Sequence, residues 1–92
     1  MDKPKLLELL RNQILIIVAE SGSRGLAPNA FKVALSVHSF DVEDKELSDQ
    51  LGYLQGKGFL DCAAAELSAG LSRYTLTAAG RDYLEANGLL NS

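Results

Sequence analysis

Leu51-Gly-Tyr-Leu54-Gln-Gly-Lys-Gly58-Phe59-Leu60 carries a change of periodicity within ten residues. Leu47, Leu51 and Leu54 repeat at i, i+4 and i+7, which puts one narrow apolar stripe on a helix expected over residues 43–56. Gly58 is the residue type that ends a helix by turning left-handed. Phe59-Leu60-Asp61-Cys62-Ala63 then reads as a strand. A helix with so thin a stripe lies on the surface with one edge in the core. Asp41 or Glu43 is expected to support its start, where carboxylates suit the positive end of the helix dipole.

On the C-terminal side, Arg73-Tyr74-Thr75-Leu76 reads as the antiparallel partner of the first strand, and residues 64–71 form the connecting loop with Gly70. Thr77 is a good N-cap for a last helix running to about residue 86, closed by Asn87-Gly88. On the N-terminal side, Pro4 opens a helix over residues 5–20. Leu6, Leu7, Leu10, Ile14, Ile17 and Val18 share its core face, and Leu9 and Ile16 form a second stripe beside it. Residues 21–25 form a turn, and Leu26-Ala27 is too short for more than a minor strand. A helix is expected over residues 28–37, burying Phe31, Ala34 and Leu35, with His38 capping or half-buried at its far end. The order is three helices, a two-stranded hairpin and a C-terminal helix, an α+β domain.

Composition narrows the function classes. Ninety-two residues suit one small domain, and 47% apolar content is enough for a core. A net charge of −3 argues against coating nucleic acid through bulk charge. One cysteine, Cys62, and one histidine, His38, build neither an internal disulfide nor a structural zinc site, so no metal or cofactor is expected. The longest apolar run, residues 14–19, is short for a signal peptide and far short of the roughly 20 residues of a membrane span, which points to a cytoplasmic protein. There is no phosphate-binding glycine loop, because Gly52, Gly56 and Gly58 end a helix instead of opening one. No nucleophile–base pair stands at a recognisable spacing, so an enzyme is not expected. Cys62 reads as a buried strand cysteine.

The segment from Leu51 to Leu60 resembles the "L..L...G.i" signature that ends the recognition helix and starts the wing in bacterial winged helix-turn-helix regulators. Tyr74-Thr-Leu76-Thr77-Ala-Ala-Gly80-Arg81-Asp-Tyr-Leu84 resembles their "Y.LT..G...L" segment. The run from Leu6 to Leu76 also looks similar to small winged-helix proteins of Mu-like phages and prophages. These resemblances imply a winged helix and a DNA-binding transcription regulator of phage or prophage origin.

The chemistry of the implied recognition helix pulls the other way. Its first turns, residues 41–49, hold five carboxylates and one lysine. Carboxylates facing a phosphate-lined groove are repelled, and counterion release is nearly lost. The donors expected to meet double-stranded DNA are Lys45, Ser48, Gln50, Lys57 and Arg73. The wing loop has no basic residue, while Leu67 and Leu71 suit contact with protein. Two functions stay open: a DNA-binding regulator, and a winged-helix module that binds a protein. Leu9, Ile16, Leu89 and Leu90 are the residues expected at a homodimer interface.

Overall fold

A computed structural model describes residues 3–63 and 72–90 of the chain. Leu67 and Leu71, expected in the loop between the two strands, lie outside these described residues. Among the described residues the protein is α+β, with four α-helices and one two-stranded antiparallel sheet. The helices are α1 (Lys3–Ser21), α2 (Pro28–Val37), α3 (Asp44–Gly56) and α4 (Ala78–Ala86); the strands are β1 (Leu60–Ala63) and β2 (Arg73–Leu76). A short 3-10 turn, Gly22–Arg24, follows α1.

Three helices end by the same device. The backbone N–H of Phe40, Phe59 and Leu89 donates to the carbonyl of Leu35, Leu54 and Leu84, five residues back. The residue before each, Ser39, Gly58 and Gly88, has φ of 67°, 82° and 67°. The N–H of Ser39, Gly58 and Gly88 also donates, to the carbonyl of Ser36, Gln55 and Glu85. This double closure satisfies carbonyls that the helix leaves unpaired and sets an apolar residue after the turn against one inside it. The break at Gly58 therefore comes where the sequence places it. Ser39 does the same work without the freedom of glycine.

Helix starts are less uniform. Thr77 Oγ1 accepts from Gly80 N at 3.0 Å and donates to Gly58 O at 2.6 Å, tying α4 to the end of α3. Neither carboxylate caps α3: Glu43 stands at the N-cap position with no side-chain cap bond. Val42 and Leu47, the positions that form a hydrophobic staple, are both buried instead, which fixes the entry of the chain by packing.

Strand register pairs Leu60 with Leu76, Asp61 with Thr75, Cys62 with Tyr74 and Ala63 with Arg73. Leu26 adds a further rung, on the other edge of β2, through an isolated bridge to Tyr74, its N–H and C=O each bonded at 2.9 Å. That rung draws the α1–α2 connection onto the sheet. It requires Gly25, at φ 73° and ψ −176°, where a Cβ would stand 2.7 Å from Tyr74 O.

The core lies where the four helices meet β1. Leu10, Ile14, Leu15, Ile17 and Val18 of α1 face Phe31 and Leu35 of α2, Leu47, Leu51 and Leu54 of α3, Leu60 and Leu84. Each such side chain removed from water contributes about 1.5–3 kcal/mol before entropy is subtracted. Phe31 is fully buried and meets Tyr74 edge-on at 6.0 Å. One expectation on α1 is corrected, since Leu6 is 47% exposed, and Leu15, which neither expected stripe includes, belongs to the core. Cys62 is half-buried, not buried, and His38 is exposed; its backbone N–H, not its ring, donates at the end of α2.

Candidate interaction surface

The packing of Leu47, Leu51 and Leu54 decides what α3 shows to solvent. Glu43, Asp44, Glu46 and Asp49 are all exposed, as is Asp41 just before them. Lys45 and Ser48 are exposed among them. Lys32 is the cation that α2 brings to this surface, and it is engaged: its Nζ lies 2.6 Å from Asp44 Oδ1. The hydrogen bond to Asp44, then the charges of Asp44, Asp41 and Glu43, hold the Lys32 pKa above its ordinary value. A lysine titrating high in this way reports a negative local potential. Both partners are well exposed, so the pair itself contributes little to stability.

Between α2 and α3 runs a groove of about 230 Å³, with Pro28, Lys32, Asp44, Leu47, Ser48 and Tyr74 among its lining residues. Its apolar floor is framed by the Lys32–Asp44 pair. The two helices and the groove form one continuous face whose exposed charge is dominated by carboxylate.

The DNA donors expected from sequence do not come together. Gln50 is buried, 8% exposed, and its Oε1 accepts from Arg11 Nε at 2.7 Å, so it is withdrawn from the donors of α3. Lys57 follows the last turn of α3 and is directed to Tyr53, its Nζ 5.9 Å from the ring. Arg73 is exposed at the start of β2. Lys45 and Ser48 alone remain on the first turns of α3. The expected homodimer residues divide as well. Ile16, Leu89 and Leu90 pack partly buried against the core of their own chain, while Leu9, 39% exposed, stands with Leu6 on the surface.

Sequence reasoning missed a second surface on the other flank of α3. Glu8, Arg11, Asn12 and Leu15 of α1, Tyr53, Leu54 and Lys57, Phe59, and Tyr83 of α4 line a groove of about 290 Å³. Arg11 lies over the Tyr53 ring at 3.8 Å, and Phe59 stacks on Tyr83 at 5.0 Å. Among the described residues no three of His, Cys, Asp and Glu are grouped to hold a metal ion, and no helix is long and apolar enough to cross a membrane.

No protein-family model, curated protein or solved structure matches this chain.

Proposed function

We propose that the chain is a winged helix-turn-helix module whose α2–α3 face docks a protein partner bearing Lys and Arg, instead of reading DNA. Three things support the winged helix: the element order, the Leu26 rung that joins the α1–α2 connection to β2, and the helix α4 capped by Thr77 after the hairpin. One observation carries the choice of partner. The surface that a DNA-reading helix-turn-helix turns toward the major groove is here occupied by exposed Glu43, Asp44, Glu46 and Asp49, with Lys32 already consumed by Asp44. Binding to a duplex scales with the number of phosphates that cations neutralise, and carboxylates at the same interface work against it. A basic protein surface is the complementary partner, and such complementarity acts on association rate and partner choice.

A DNA-binding transcription regulator is the second reading. Lys45 and Ser48 on the exposed start of α3, with Arg73 on β2 and Lys57 beyond α3, are the observation that favours it.

Backbone amide shifts at low salt separate the two. A mixed-sequence duplex and a short Lys/Arg-rich peptide are each titrated into labelled protein. The expected result is peptide-induced shifts over residues 41–49 that fade with salt, and no duplex-induced shifts there. Duplex-induced shifts at Lys45, Ser48 and Arg73, fading as salt rises, would overturn the protein-docking reading, because nonspecific DNA attraction is strongest at low salt.

A further inference from the structure

The groove between α1, the end of α3 and α4 shares no lining residue with the α2–α3 groove, and its chemistry is of another kind. Its volume of about 290 Å³ lies at the small end of the range for ligand pockets. Leu15 and Leu54 are fully buried beneath it, and Tyr53, Phe59 and Tyr83 supply aromatic walls. These walls are held. Phe59 and Tyr83 stack with 28° between ring planes, and Tyr83 Oη donates to Asn12 Oδ1 at 2.7 Å. The helix closure at Gly58 fixes where Phe59 stands.

The decisive feature is Arg11. Its Nε donates to the buried Gln50 Oε1 at 2.7 Å, and its guanidinium carbon lies over the Tyr53 ring, 3.8 Å from the centroid. Two contacts on one side chain hold the guanidinium in place in advance of any ligand. Among the described residues the one ion pair is Lys32–Asp44, so no described carboxylate lies within 4.0 Å of the Arg11 nitrogens. Glu8 lines the same groove one helical turn earlier without pairing to it. Lys57, its Nζ 5.9 Å from the Tyr53 ring, adds a second cation to the lining. Arg11 and Lys57 against Glu8 leave one net positive charge in a chain whose overall charge is −3. A guanidinium held in this way in the wall of a groove is suited to a planar carboxylate, which such a group meets through two parallel bonds.

We propose that this groove is a binding site for a small aromatic carboxylate, its ring against Tyr53, Phe59 and Tyr83 and its carboxylate on Arg11, with Lys57 adding longer-range attraction. Such a ligand bridges α1, α3 and α4, so binding stabilises the arrangement of these helices.

The probe is indole-3-acetate, with indole-3-acetamide as its uncharged counterpart, titrated into labelled protein while amide and arginine Nε–H shifts are followed. A compound of this size held by one well-placed ion pair is expected to saturate with a Kd of about 1 mM. Shifts should centre on Arg11, Tyr53, Lys57, Phe59 and Tyr83, and the acetamide should bind at least tenfold more weakly. Arg11→Met keeps the apolar stem over Tyr53; it should weaken the acetate about tenfold and leave the acetamide unchanged. Should removal of the Gln50 partner unfold that variant, Lys57→Met, on an exposed residue, should still weaken the acetate two- to threefold and spare the acetamide. Equal binding of acid and amide, or no saturation of the acid by about 20 mM, would overturn the proposal.

Discussion

Replacing Gly80 by alanine sets two general rules against each other, and the structure decides between them. Gly80 lies in the first turn of α4, where helix propensity alone favours alanine by about 0.5–1 kcal/mol. A Cβ at this position has no room. It would overlap the backbone oxygen of Phe59 and stand 2.7 Å from Leu76 Cδ1. Leu76 can rotate away, but the Phe59 carbonyl is held in place by the Thr77 N–H, which donates to it at 3.1 Å. Relief therefore requires α4 to lift from the start of β1, straining that bond and the Thr77 cap together. Overpacking of this kind costs about 1–3 kcal/mol, and a weakened backbone bond about 1 kcal/mol more. Subtracting the propensity gain leaves a net destabilisation of about 1–3 kcal/mol. In a domain of this size that lowers Tm by roughly 5–15 °C. Gly52 in α3 is the control, since a Cβ there meets nothing within 4 Å. Gly52→Ala should raise stability by up to about 1 kcal/mol. Urea and thermal unfolding followed by circular dichroism measure both. Should Gly80→Ala equal or exceed Gly52→Ala in stability, the close contact of α4 with the strand entry is wrong.

Ser39 holds φ 67° at the end of α2, so Ser39→Gly should raise stability by about 0.5–1 kcal/mol, read from the urea midpoint at unchanged m-value. Thr77→Ala removes both the Gly80 cap and the bond to Gly58 O, and should cost about 1–2 kcal/mol by the same measurement. Burial first, then Cys62 across the ladder, pushes the Tyr74 hydroxyl above its ordinary value of 10.0. Its folded pKa is the higher one, so this contribution is full below pH 10 and is lost as pH climbs through the folded value; Tyr74→Phe should flatten the alkaline side of the stability–pH curve.

What was legible in the sequence was local. The bounds of α2 and β2 follow from Pro28 and from Arg73-Tyr74-Thr75-Leu76, and the break at Gly58 from a single residue type at a fixed offset from Leu54. Gln50 was misplaced by its chemistry, not by its position. It stands at i+3 from Leu47 and i−4 from Leu54, squarely in the apolar stripe, so spacing alone would have put it inside. A polar residue in such a stripe signals a buried partner on another element, here Arg11, 39 positions away. The packing of Leu89 and Leu90 against their own chain was not legible for a related reason. The turn at Gly88 sends the chain back over α4, and Leu89 takes the place that packs against the helix it has just left.

The same logic explains why the α2–α3 face was visible early and the Arg11 groove was not. The carboxylates at the start of α3 lie within nine residues of sequence, 41–49, and are exposed, with Lys32 the described cation that pairs with one of them. The groove needs residues 8 to 83 brought together, and its principal cation is defined by what holds it more than by what it is. An arginine on an exposed helix is a mobile charge in high dielectric, worth little to a ligand. Fixed by a buried amide and a tyrosine ring, the same arginine presents its remaining donors at little further entropic cost. The two faces of α3 thus differ in kind: one projects a diffuse negative field suited to a broad protein surface, the other a single oriented donor set suited to a small anion.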